Sequence, residues 1–207
     1  MIKFSVNDDI WTIRLSRPDK ANALTAEMLE EICSIVARAH KARAMIVTGE
    51  GQVFSAGADL EAVKRGLATS NVWERASRAI AELPCLTIAA LNGTLAGGAF
   101  GIALACDLRI SVPTAKFFYP VMKLGYLPQP SDPARMSALI GPARTKLILM
   151  AGQKLNADEA LLYGLIDCVC PYEELLDSAH ALTDSVHTAL PNQVKTIKQM
   201  CTQTSIP

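Results

Sequence analysis

The stretch from Leu91 to Arg109 combines an Asn92-Gly93 pair, a Gly97-Gly98 pair and a run of small residues ending near Cys106. The apolar run Cys85 to Leu91 before it predicts a buried strand; Asn92-Gly93 turns the chain, and Gly97-Gly98 open a small-residue helix. A helix start carries orphan N–H donors and partial positive charge. Two amides there can stabilise an oxygen that develops negative charge, with no side chain required. What the helix start lacks is a carboxylate, so the predicted chemistry is oxyanion stabilisation. The alternative is that the glycines only let helix and strand pack closely.

The elements that must position this loop alternate along the chain. Ile2 to Val6 and Ile10 to Leu15 alternate as strands of a hairpin, with Asn7-Asp8-Asp9 as the turn. Thr25 caps a helix whose buried stripe is Leu29, Ile32, Cys33, Val36 and Ala37, with Glu27, Glu30 and Glu31 near its start and Arg38, His40 and Lys41 near its end. Ala44 to Thr48 predicts a short buried strand, and Asn71 to Leu83 a helix stopped by Pro84. Alternating helix and strand favours an α/β fold with helices covering a largely parallel sheet. Residues 1–170 form the expected core. Beyond Pro171, residues 171–207 form a helical segment with Leu175, Leu176, Ala179, Leu182 and Val186 on one stripe.

Composition narrows the function classes. A chain of 207 residues is long enough for one domain with a sizeable core. Twenty basic and twenty acidic residues give no electrostatic footprint for nucleic acid or an anionic membrane, so a small-molecule ligand is expected. The six cysteines show no CxxC pair and no histidine spacing suited to zinc. Free thiols in a reducing cytoplasm are the expectation. Met1 to Asp9 lacks the basic-then-apolar layout of a signal peptide, and Thr94 to Cys106 is too short to span a bilayer. The glycine motif is not GxGxxG with a following acidic residue, so no nicotinamide, flavin or metal site is expected.

Taken with Asn22-Ala23-Leu24 and Phe54-Ser55-Ala56-Gly57-Ala58-Asp59-Leu60, the glycine stretch resembles the enoyl-CoA hydratase/isomerase, or crotonase, family. Ala115-Lys116-Phe117, Ala157-Asp158-Glu159-Ala160 and Tyr163-Gly164-Leu165-Ile166 follow in the expected order. The resemblance implies a spiral of repeated ββα units, a coenzyme A thioester as substrate or ligand, and a homotrimer or dimer of trimers. It also implies that the C-terminal helical segment is shortened relative to relatives. By motif, the oxyanion amides fall at Ala58 and Gly98. Ala23, Ala56 and Leu60 match positions that enclose the adenine, and Arg17 and Lys20 lie where phosphates approach. Asp59, in the same motif, can fix its loop by accepting nearby backbone N–H groups.

The family's hydratases move protons with two glutamates. By the same resemblance the first falls at Gly101 and the second after Pro120, at Val121, so an ordinary hydratase is not expected, nor an ordinary isomerase. Asp132, in the segment Tyr126 to Pro133 that borders the acyl pocket in relatives, is the replacement candidate for proton transfer. Asp followed by Pro also predicts Asp132 as the N-cap of a helix beginning at Pro133. Tyr119, Tyr126 and Trp73 are further pocket candidates, while His40, His180 and His187 lie far from any motif and are expected on the surface. Three functions follow as expectations: an acyl-CoA enzyme acting through an enolate or oxyanion, with decarboxylation or thioester hydrolysis its best-fitting reactions; a catalytically silent acyl-CoA binder; or a structural subunit of a mixed assembly.

Overall fold

The computed structural model describes residues 1–202. The elements run β1 (Ile2–Asn7), β2 (Ile10–Leu15), α1 (Ala26–Arg38), β3 (Ala44–Gly49), β4 (Val53–Ser55), α2 (Leu60–Lys64) and α3 (Val72–Ala81). They continue with β5 (Leu86–Leu91), β6 (Thr94–Ala96), α4 (Phe100–Ala105), β7 (Leu108–Ser111), β8 (Lys116–Phe118), α5 (Val121–Leu124) and α6 (Asp132–Leu149). The chain then passes through β9 (Leu155–Asn156), α7 (Ala157–Tyr163), β10 (Cys168–Val169), α8 (Leu175–Ala181), α9 (Asp184–Thr188) and α10 (Pro191–Thr202). Residues 203–207 of the expected 171–207 helical segment lie outside the described residues.

Each turn of the chain lays one strand in each of two sheets. The larger sheet has the order β1-β2-β3-β5-β7-β10 and the smaller β4-β6-β8-β9. Strands β3, β5 and β7 are parallel neighbours in the first, and β4, β6 and β8 in the second. This is the expected α/β spiral of ββα units. Strand β3 is buried along its whole length, which is why Ala44 to Val47 reads as an unbroken apolar run rather than an alternating one. The β1–β2 hairpin closes at Asp8 and Asp9, both with positive φ, a conformation that Asp tolerates better than most side chains.

Two sequence expectations shift. The buried face of α1 is Met28, Leu29, Ile32, Ile35 and Val36; Ala37 is exposed and Cys33 only half-buried. The face is set by packing on α3 as well as on the sheet, so the stripe turns toward Met28 and Ile35. Second, the chain does not pass directly from the Asn92-Gly93 turn into the helix. It first lays down β6, paired in parallel with β4, and enters α4 through a tight turn at Gly97–Ala99. Three residues are too few to show a period, so the strand is invisible until β4 is present to pair with it.

No helix among the described residues is long and apolar enough to cross a membrane. Helix α8 rests on β5 and β7, burying Leu175 and Ala179, whereas Leu182 stays exposed.

Candidate active site

Parallel pairing of β4 with β6 brings two loops to the same end of the small sheet. Val53 pairs with Thr94 and Ser55 with Leu95, so residues 56–58 and 97–98 leave the sheet side by side. They touch at their glycines. A Cβ on Gly57, at φ +93°, would stand 2.9 Å from the Ala96 carbonyl oxygen and 3.3 Å from the Gly97 Cα. Only glycine permits both that approach and that conformation. Ala58 and Gly98 each lie one residue further along these two loops.

The first loop is held from below by Asn22-Ala23-Leu24. Asn22, fully buried, accepts the Arg17 amide on Oδ1 at 2.8 Å and donates from Nδ2 to the Glu50 and Val53 carbonyls. Ser55 Oγ donates to the Asn22 carbonyl at 2.8 Å and accepts the Gly57 amide at 3.1 Å. Backbone bonds run from Ala56 to Ala21, from Leu24 to Gly57 and from Asp59 to Leu24. The amides of Ala56, Gly57 and Asp59 are thus directed into the protein, while the Ala58 amide donates to none of these groups. Gly98 lies in the opening turn ahead of α4, where amides have no preceding helical carbonyl to bond.

Arg17 and Lys20 separate in role. Arg17 Nη1 lies 2.8 Å from Asp59 Oδ2 and donates to the Ala23 carbonyl at 2.9 Å, which ties this end of its guanidinium to the loop. Asp59 is the N-cap of α2, accepting the Glu61 and Ala62 amides on Oδ1 at 3.0 Å each. Those amides, with the Arg17 guanidinium, hold its carboxyl below the usual carboxylate value. Lys20 is exposed, as are Ala56 and Leu60, and Ala23 is half-buried.

Asp132 is not the cap that its Asp-Pro context predicts. The N-cap of α6 is Ser131, and Asp132 is the first helical residue. The α6 start is instead served by α3: both the amide and the hydroxyl of Ser131 donate to the Glu74 carboxylate. Freed from capping, Asp132 points into the core, where it is fully buried. Its Oδ2 accepts the Tyr119 hydroxyl at 2.9 Å, and its Oδ1 has no hydrogen-bond partner among the described residues. A Cβ on Gly101 would stand 3.0 Å from that Oδ1. The missing side chain of Gly101 leaves the space this carboxylate occupies. Burial pushes Asp132 up to about 7, against the Tyr119 hydrogen bond and the Arg135 charge, which pull it down.

Trp73, 3 % exposed, packs against Gly98. Its Nε1–H donates to the Leu67 carbonyl at 2.9 Å, and its ring edge lies 3.2 Å from where a Gly98 Cβ would stand. Phe100 is buried and stacks on Tyr119 at 5.4 Å between centroids. Met122 and Tyr126 are exposed. Val121 is buried and carries no ionisable group. His40 and His187 are on the surface and His180 is half-buried. No cluster that could hold a metal occurs among the described residues. Sequence reasoning did not find Glu74, whose role depends on α3 meeting α6, nor the bond between Tyr119 and Asp132.

The chain is similar in sequence and fold to known proteins. Residues 5–206 match the family model described as enoyl-CoA hydratase/isomerase. The chain is 34 % identical to a putative enoyl-CoA hydratase/isomerase of Bacillus subtilis, over 95 % of this chain and 80 % of that protein. It is 33 % identical to a carnitinyl-CoA dehydratase of Citrobacter koseri, over 99 % of this chain and 81 % of that one. Among solved structures, an enoyl-CoA hydratase from Bacillus anthracis superposes with a TM-score of 0.91 at 28 % identity, covering 98 % of this chain and 82 % of that one. With the fold, the two touching loops and these matches in agreement, the chain belongs to the enoyl-CoA hydratase/isomerase family.

Proposed function

We propose that this protein binds an acyl-CoA thioester and stabilises negative charge on its carbonyl oxygen through the Ala58 and Gly98 amides, with Asp132 as the one side chain that moves a proton. The observation that supports this reading is the close approach of Gly57 to Gly97, each of them one residue before a proposed oxyanion amide on a separate loop. Donors of this kind matter most where charge develops in a site with little water, and losing one typically costs about 3 kcal/mol of transition-state stabilisation. Ala23, Ala56 and Leu60 offer the adenine its apolar surface, Lys20 meets a phosphate, and Arg17 acts through Asp59 and the Ala23 carbonyl.

A single proton-transfer group favours reactions other than ordinary hydration, which uses two. In decarboxylation of a β-carboxy thioester, the breaking C–C bond leaves its electron pair in an enolate held by the two amides, and carbon dioxide departs. Asp132 in its acid form then gives a proton to C2 and regains one from water. In thioester hydrolysis, Asp132 positions the attacking water. The Trp73 ring against Gly98 limits the acyl group to short chains. The protein acts in the cytoplasm as a homotrimer or dimer of trimers in this reading.

A second reading, a silent acyl-CoA carrier or a structural subunit, is favoured by one observation: Gly101 and Val121 are non-ionisable and Asp132 is sealed from solvent. Calorimetric titration with crotonyl-, acetoacetyl- and malonyl-type CoA thioesters, followed by mass spectrometry of each mixture, separates the two. Binding with a mass change supports the enzyme. Binding without conversion supports the carrier, and absence of binding removes both acyl-CoA readings.

A further inference from the structure

A carboxylic acid has two oxygens, and a proton-transfer step depends on which of them faces the reacting atom. At Asp132 they are unequal. Oδ2 accepts the Tyr119 hydroxyl at 2.9 Å, and the Tyr119 oxygen in turn accepts the Gln129 amide at 3.3 Å. Oδ1 is buried, has no hydrogen-bond partner among the described residues, and faces the bare Gly101 on α4. Tyr119 cannot swing away easily. It is 3 % exposed, stacked on Phe100 and fixed at its tip by both hydrogen bonds.

We infer that Tyr119 is a positioning residue that reserves Oδ2 of Asp132 as an acceptor and so directs every proton gained or lost by the carboxyl to Oδ1. The inference rests on Asp132 being the proton-transfer group proposed above. A tyrosine has one proton to donate. With its oxygen accepting the Gln129 amide, that proton points at Oδ2. A proton on Oδ2 would meet the Tyr119 proton head-on, so the acid form carries its proton on Oδ1. The orphan oxygen is then the one that exchanges with substrate, and its lack of a protein partner in the absence of ligand follows.

The hydroxyl also favours the ionised carboxylate, opposing the burial that pushes Asp132 up. The other charged groups acting on Asp132 are Arg135 on its own helix, which favours ionisation, and Glu74 on α3, which opposes it. The adjoining residue of α4 is Gly101, which has nothing to titrate. Removing only the Tyr119 hydroxyl must therefore raise the midpoint at which Asp132 titrates.

The test is exchange of the C2 protons of butyryl-CoA for deuterium in heavy water, followed by NMR across a range of pD. Asp132 takes the C2 proton, the enolate oxygen rests on the amides, and a deuteron returns to carbon. Tyr119→Phe keeps the stacked ring and removes the hydroxyl. The expected result is a maximal exchange rate lowered about tenfold, a half-saturating butyryl-CoA concentration changed less than about twofold, and a pD midpoint raised by about one unit. Asp132→Asn separates the layers of the argument. If Asp132→Asn abolishes exchange while Tyr119→Phe leaves both rate and midpoint unmoved, Tyr119 does not position the group. If Asp132→Asn exchanges like the wild type, or the wild type does not exchange at all, the proton-transfer reading of Asp132 falls and the role of Tyr119 with it.

Discussion

The Asp132 carboxylate occupies the space beside Gly101 that any larger residue would need: a Cβ on Gly101 would stand 3.0 Å from Asp132 Oδ1 and 3.5 Å from Oδ2. The two positions, on α4 and α6, are sterically exclusive in their present form. An acid at one requires a bare α-carbon at the other.

Gly101→Glu should therefore not restore a two-carboxylate site. It forces a side chain against a buried carboxylate and places a second like charge beside it, for a cost of about 3 kcal/mol in urea denaturation. Adding Asp132→Gly should recover most of that loss, because the clash and the repulsion both vanish. Costs of the two changes that simply add would show that the residues do not share the space.

Asp132→Asn should stabilise the fold at alkaline pH. Asp132 is raised to about 7 in the folded protein, above the unfolded value of about 4. The native state therefore holds its proton more tightly than the unfolded chain, and stability falls as pH climbs from about 4 through about 7. Asparagine escapes this penalty. The advantage of the variant over wild type should grow by on the order of 2–3 kcal/mol between pH 5 and pH 8, measured by urea denaturation at each pH. An advantage that stays constant over that range would mean that the carboxyl is already ionised at pH 5 in the native state.

Gly57→Ala tests the contact of the two loops. At φ +93°, with a Cβ only 2.9 Å from the Ala96 carbonyl oxygen, alanine should cost about 2 kcal/mol or more. Turnover should fall further than stability explains, since the 56–58 loop must retreat from Gly97. A folded Gly57→Ala protein of normal activity would show that the spacing of Ala58 and Gly98 does not matter.

Trp73→Phe tests what limits the acyl group. The smaller ring frees space beside Gly98 and leaves the buried position apolar. The ratio of kcat/KM for octanoyl- over butyryl-CoA derivatives should rise about tenfold, the scale of a methylene or two in an apolar pocket. An unchanged ratio would place the acyl chain elsewhere.

The sequence carried the larger elements because their signals are local. The β1–β2 hairpin, the Thr25 cap of α1 and the Pro84 stop after α3 each rest on neighbours within a turn or a strand. The glycine loops were legible as a motif, but their juxtaposition needed the three-residue strand β6, which has no signal of its own. Asp132 was legible as a candidate and misread in detail, because an Asp-Pro pair looks the same whether or not another helix supplies the cap. Glu74 supplies it from 57 residues away. The Tyr119 link was out of reach for a similar reason: β8 and α6 approach only through the tertiary fold.

The most direct test of the account is a crystal structure with acetoacetyl-CoA bound. The thioester oxygen should lie about 2.7–3.1 Å from both the Ala58 and the Gly98 amide nitrogens, with Asp132 Oδ1 as the nearest side-chain oxygen to C2. A thioester oxygen that meets only one of those amides, or neither, would contradict the central claim.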